Sequence, residues 1–257
     1  MLERDLPAMP MRQIPLDLGP VSMPGLDDFV VGENEQALAW LQAWPDVWAQ
    51  SGATRLPVAY FWGPTGSGKT HLLRAMIARA LDHGRSVIWV SPQHGCQMWD
   101  AQDPAAPTLA VIDDCDGLDA HLQHLAFNLF IEAASSAAAI AGGQPDPQQS
   151  VLSILASGAV PPVDLNVRED LRTRLGWGLV FALSPPSEAS VREALHGEAA
   201  RRGMALAEGV VSYLLTRYSR DLSFLMALLD RLDRFALAEH RTVTVPLLKQ
   251  MQALEIA

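Results

Sequence analysis

The sequence predicts an α/β fold, a parallel sheet flanked by helices, followed by a small all-helical domain. Three observations carry this expectation. Short runs that are apolar throughout, bounded by turn residues, recur up to about residue 184. Strands of that kind are buried on both faces, as in a parallel sheet covered by helices. Segments of helical period lie between them. Beyond Pro185 and Pro186 only helical spacing remains.

Taken in order, residues 1–25 are rich in Pro and Met and show neither helical nor strand period, so they read as an extended tail. Folded pattern begins near Leu26. Val58 to Trp62 reads as a buried strand, and Leu72, Leu73, Met76, Ile77 and Leu81 form the apolar stripe of a helix from about Gly68 to Leu81. Ser86 to Val90 and Leu109 to Ile112 read as further strands, with a helix over roughly Ala120 to Ala137. Gly142, Gly143, Pro145 and Pro147 mark a surface loop before strands at Val151 to Ala156 and Leu179 to Leu183. Leu222, Leu225, Leu229 and Leu232 repeat at helical spacing and are expected to face a core. The expected division is a tail over 1–25, an α/β domain over 26–184 and a helical domain over 185–257.

Composition narrows the function classes. With 19 basic and 29 acidic residues the formal net charge is -10, so bare duplex DNA is not expected as the main partner of the whole surface. Two cysteines, Cys96 and Cys115, make no disulfide framework or zinc cluster, and a reducing cytoplasm fits. The seven histidines show no metal-ligand spacing. The N-terminus has no apolar signal core. The most apolar stretch, Leu125 to Ala141, is broken by Asn128, Glu132 and two serines, and falls short of the ~18 residues that suggest a membrane span.

The strongest chemical signal is Gly63-Pro64-Thr65-Gly66-Ser67-Gly68-Lys69-Thr70, which fits the Walker A pattern in full between a predicted strand and a predicted helix. Glycines let backbone N–H groups turn onto phosphate oxygens, and the helix N-terminus adds partial positive charge. Lys69 is expected at the outer phosphates of ADP or ATP, and the Thr70 hydroxyl on Mg2+. Leu109 to Ile112 delivers Asp113 and Asp114, a Walker B pattern. Asp113 is expected to hold the magnesium and Asp114 to polarise a water. Cys115 beside them reads as a small packed residue.

Three further segments resemble the AAA+ domain of the replication initiator DnaA. Asp27 to Asn34 resembles the segment that opens that domain, which implies Phe29 and Val30 near the adenine; read alone, both also fit an ordinary core. Arg172-Thr173-Arg174-Leu175-Gly176-Trp177-Gly178 resembles the arginine-finger box, and Arg220-Asp221-Leu222 the sensor 2 arginine at the start of a lid helix. The tail segment Gln13-Ile14-Pro15-Leu16-Asp17-Leu18 is similar to the hexapeptide with which bacterial replication proteins dock on the DNA polymerase sliding clamp. An extended strand projects alternate side chains the same way, so Gln13 suits a pocket rim and Leu16 and Leu18 an apolar groove. A clamp hexapeptide, an AAA+ core and a lid, with no helix-turn-helix expected after it, resemble the Hda family of DnaA-related regulators. That resemblance implies a protein that provokes hydrolysis of the initiator's ATP and limits replication initiation. Its implied partners are DnaA and the clamp, with self-association left open, and no membrane or strong direct DNA binding.

Departures from the pattern bear on the chemistry. The fourth predicted strand ends Ala156-Ser157-Gly158 where the family places a polar sensor 1 side chain, and the second Walker B acid is the shorter Asp114. Both imply at most a weak ATPase, although the Walker A motif is intact. Read alone, Arg174 fits a structural arginine, and Trp177 reads as a packing anchor. Arg220 at a helix start opposes the helix dipole, which favours a phosphate partner. The alternative function is a self-contained AAA+ ATPase such as a helicase loader or remodelling factor.

Overall fold

The computed structural model describes residues 24–49, 58–100, 107–141, 152–218 and 221–256. Residues 23–187 and 188–257 fall into separate compact units. The first carries the strands β1 (Val58–Trp62), β2 (Ser86–Ser91), β3 (Gly95–Trp99), β4 (Thr108–Ile112), β5 (Leu152–Gly158) and β6 (Leu179–Ala182). Its helices are α1 (Glu35–Ala49), α2 (Lys69–Asp82), α3 (Ala120–Ala141) and α4 (Glu169–Leu175). The sheet order is β3-β2-β4-β5-β1-β6.

Five strands are parallel, as expected from their apolar runs. The sixth, β3, is antiparallel to β2 and makes the sheet mixed. Its residues alternate between partial and full exposure, so it lacks the continuous apolar run that marks the other strands. The loop expected at Gly142, Gly143, Pro145 and Pro147 lies outside the described residues.

One sheet face packs against α1 and α2, where Leu41, Leu72, Leu73, Ile77 and Phe61 are buried. Phe61 stacks on Phe181 of the neighbouring strand with ring centres 5.4 Å apart. The other face packs against α3 and α4 through Ala126, Phe130, Leu171 and Leu175. Fully burying such a side chain contributes about 1.5–3 kcal/mol relative to leaving it exposed. This two-sided burial is why strands β1, β4 and β5 are apolar along most of their length and carry no charged residue.

Two glycines are set by close approach. A Cβ at Gly178 would lie 1.9 Å from the Val58 carbonyl oxygen, so only glycine lets the chain enter β6 alongside β1. A Cβ at Gly158 would lie 2.0 Å from the Tyr60 hydroxyl, which crosses the end of β5 to donate to the Val160 carbonyl.

The second unit comprises α5 (Glu188–Arg201), α6 (Glu208–Arg217), α7 (Leu222–Ala238) and α8 (Val245–Ile256). Leu225, Leu229 and Leu232 are buried in its core, with Leu222 packed against it, as their spacing predicts. Asp221 caps α7 by accepting from the Ser223 and Phe224 amides. Arg202, just past α5, donates to Asp230 of α7 at 2.6 Å and ties these helices together.

Candidate functional site

The glycine-rich loop leaves the C-terminal end of β1, a central strand flanked by β5 and β6. Gly66 and Gly68 have φ of 82° and 88°, a region that side chains rarely adopt. A Cβ on Gly68 would also lie 2.5 Å from the Phe29 ring, and one on Gly63 would lie 2.3 Å from the Leu183 carbonyl oxygen. The loop is therefore held between the segment before α1 and the end of β6. Lys69 opens α2, whose first amides have no carbonyl partner within the helix and present donors to an anion.

Lys69 is half-buried, and its Nζ donates to the Gly63 carbonyl at 2.6 Å and the Pro64 carbonyl at 3.0 Å. Burial holds its pKa below the usual lysine value, against the opposing pull of Asp113, Asp114 and Asp116. Parallel pairing carries the ends of β4 and β5 to the same rim of the sheet. The Thr70 hydroxyl there donates to Asp113 Oδ1 at 3.2 Å, and the Ser157 hydroxyl donates to the same oxygen at 2.6 Å. The Asp114 amide donates to Ser157 Oγ at 3.0 Å. Ser157, at the expected sensor 1 position, is thus bonded into the Walker B turn, while Gly158 is there to admit Tyr60.

Asp114 sits in the left-handed region at φ 55°, and its carboxylate accepts from Gln93 at 3.3 Å. Cys115 is fully buried, and burial, followed by Asp116, pushes its thiol pKa up, so it is the packed residue the sequence suggests. Thr70 and Asp113 offer two hard oxygen donors beside the loop, the kind of donor set Mg2+ uses together with phosphate oxygens and water. Among the described residues no group of three or more His, Cys, Asp or Glu forms a metal cage.

The segment before α1 closes one side of the loop. Phe29 is buried against the α1–α2 face and faces the His71 ring at 5.8 Å, while Val30 is half-buried. Asn34 makes a reciprocal pair with Ser184, donating to its carbonyl at 2.9 Å and accepting from its amide at 2.8 Å. His71 Nε2 lies 3.2 Å from the Gly25 carbonyl, fastening the segment to α2. Neither role follows from local pattern, since Asn34 and Ser184 are 150 positions apart and His71 and Gly25 are 46 apart. The signal for His71 was its place directly after Thr70.

Burial lowers the His71 pKa, outweighing the opposing Gly25 hydrogen bond and Asp28. A folded-state value below the unfolded value of ~6.5 means that the folded protein resists protonation. The stability this residue contributes is present above that pH and is lost as pH falls through it. In an NMR titration the His71 Cε1 proton is expected to show a midpoint below the unfolded value, and His71→Gln is expected to flatten the acid loss of stability of the α/β unit. A midpoint above that of an exposed histidine would contradict both.

Arg174 lies elsewhere. It ends α4, and β6 starts at Leu179 opposite Ala59, so Arg174 sits at the rim where β1 begins. The P-loop lies at the rim where β1 finishes. Five strand residues span ~16 Å, longer than an arginine side chain. Arg174 therefore does not reach the P-loop of its own chain. Trp177 is no packing anchor: it is 55% exposed, because Gly178 is pressed against Val58 and turns the preceding residue outward. Arg220 and the tail residues Gln13, Ile14, Leu16 and Leu18 lie outside the described residues.

The parallel sheet, its P-loop and the four-helix unit that follows define a P-loop protein of the AAA+ class. The comparisons agree and narrow the class. Residues 188–252 match the family model of the Hda lid domain. Domain III of DnaA from Thermotoga maritima superposes with a TM-score of 0.59 at 17% identity, over 88% of this chain and 94% of that one. DnaA from Aquifex aeolicus, bound to AMPPCP, gives 0.54 at 19% identity, over 80% and 64%. The Thermotoga maritima RuvB branch migration motor gives 0.55 at 13% identity, over 86% and 69%. An uncharacterized protein of Haemophilus influenzae is 28% identical over 245 residues, 93% of this chain and 98% of that protein. Residues 188–252 are thus similar to the Hda lid domain, and the chain shares the AAA+ fold of DnaA domain III. No described helix is long and apolar enough to cross a membrane.

Proposed function

We propose that this protein is a regulatory AAA+ adaptor that binds ADP or ATP, docks on the sliding clamp and stimulates hydrolysis of ATP held by DnaA. The observation that carries this reading is that Arg174 lies at the rim of the sheet opposite its own P-loop, out of reach of nucleotide bound there. The match of residues 188–252 to the Hda lid supports DnaA as that molecule.

In this reading residues 1–25 dock, 26–184 bind nucleotide and 185–257 form the lid. The amides of the P-loop and Lys69 bind the phosphates, and Phe29 and Val30 bound the base. Arg220 is assigned to nucleotide binding by its resemblance to a sensor 2 arginine. Mg2+ would be held by Thr70 and Asp113 and would supply neutralising charge. Ser157 and Gln93 engage the two Walker B acids, which fits slow hydrolysis by the protein itself. The contact of Thr70 with Asp113 also favours a second reading, a self-contained ATPase.

One experiment separates them. Single-turnover hydrolysis is followed for ATP preloaded on DnaA, with and without this protein and the clamp. Negligible turnover by the protein alone and fast turnover of DnaA-bound ATP with both present are expected. Replacing Leu16 and Leu18 with Ala removes two anchors worth about 1.5–3 kcal/mol each if fully buried, and is expected to abolish the clamp's effect. Robust turnover without DnaA would favour the second reading, and an unchanged clamp effect would remove the hexapeptide's role.

A further inference from the structure

Arg174 has an unusual partner. Its guanidinium carbon lies 3.9 Å from the centre of the Trp177 ring and 5.7 Å from that of Phe127 on α3. The contact is built by the backbone. The Trp177 amide donates to the Arg174 carbonyl at 3.0 Å, closing the turn after α4. Gly178 is then wedged against Val58, and the exposed indole lies over the Arg174 guanidinium at the end of the helix. An exposed indole contributes little to a core, so burial does not explain it.

We propose that Trp177 is the positioning residue of Arg174, its ring face presenting the guanidinium to the nucleotide of a partner. The inference rests on the reading that Arg174 acts in trans. An aromatic face is suited to this task where a carboxylate is not. A carboxylate would occupy the N–H donors and cancel the charge that a phosphoryl group needs, whereas stacking uses the flat face and leaves the N–H edge and the charge available. Arg168 on the same segment shows the contrast: it is ion-paired to Asp170 at 2.6 Å. Arg174 has no ion pair among the described residues. Phe127 also lies 5.8 Å from Arg168, so it borders both cations, while Trp177 serves Arg174.

A surface cation–π contact biases a side chain's population about two- to fivefold, and more when water is excluded. The test compares wild type, Trp177→Ala, Trp177→Phe and Arg174→Ala in hydrolysis of ATP preloaded on DnaA, with this protein titrated to saturation. Trp177→Ala is expected to lower the saturated rate about fivefold at an unchanged half-saturating concentration, and Trp177→Phe to recover most of the loss. Independently of activity, the Arg174 δ and ε protons are expected to be ring-shifted upfield in NMR spectra of wild type and to return toward ordinary positions in Trp177→Ala. Unshifted Arg174 protons in wild type would overturn the stack. A raised half-saturating concentration at full saturated rate would make Trp177 a docking contact and overturn the positioning role. Wild-type activity of Arg174→Ala, with the ring shifts present, would instead overturn the trans reading and the role built on it.

Discussion

Arg174→Ala is expected to lose the stimulation of DnaA-bound ATP hydrolysis while keeping the fold, nucleotide binding and clamp docking. Phosphoryl transfer spreads negative charge over the transferred group, and a guanidinium brought to it by a second protein stabilises that charge. Such arginines change rates on the order of 10³–10⁵-fold in other P-loop systems. The loss should be separable from stability, because Arg174 ends its helix half-buried against rings and closes no ion pair among the described residues. Arg174→Lys is expected to rescue little, since an ammonium lacks the planar fork and the face that stacks on Trp177. Single-turnover hydrolysis of preloaded ATP, with clamp and DNA present, measures it. A structural arginine would behave differently, lowering thermal stability and weakening several activities together. Equal rates for wild type and Arg174→Ala would end the trans reading.

Lys69→Ala is expected to weaken ADP and ATP binding about tenfold to a hundredfold, the loss of one or two charge-assisted hydrogen bonds. The Lys69 ammonium is anchored on the Gly63 and Pro64 carbonyls, so it is already held over the glycine-rich loop whose amides are expected to meet the phosphates. Its partial burial makes the charge costly to hold, and Asp113, Asp114 and Asp116 offset that cost. The backbone donors remain after the substitution, which is why binding should weaken rather than vanish. Calorimetry with both nucleotides, alongside circular dichroism to check the fold, decides it. Unchanged affinity in a folded Lys69→Ala protein would remove the phosphate-site assignment.

The two residues differ in how far sequence could place them. Lys69 sits inside a contiguous octapeptide whose spacing carries its own geometry, because the turn, the amides and the helix start are all local. Arg174 has no such signal. That it faces away from its own P-loop follows from β6 running parallel to β1, a pairing between residues about 120 positions apart. Ser157 shows the same divide. Its place at a strand end was legible, but its bond to Asp113 depends on β4 and β5 being neighbours in register.

Elements were readable where one physical signal dominated. Continuous apolar runs mark the parallel strands: β1, β4 and β5 are buried on both faces, while β6 at the sheet edge keeps its apolar run although it is largely exposed. The strand β3 carries no such run, because Gly95 and Gln97 break its apolar pattern. The helix α1 is hidden by Pro45, a helix-breaking residue, although Trp40, Trp44 and Trp48 recur at helical spacing and the structure carries the helix through to Ala49. Trp177 was read as an anchor because large aromatics usually bury, and here the clash that Gly178 avoids turns it outward.

By itself, then, the sequence determined the P-loop chemistry, the alternation that makes a parallel sheet and the change to helices after residue 184, because each is written in neighbouring residues. Tertiary structure alone decided which side chains share Asp113, which glycines are steric necessities and which rim of the sheet carries Arg174. Those depend on strand order and register, and residues distant in the chain meet only once the sheet has formed.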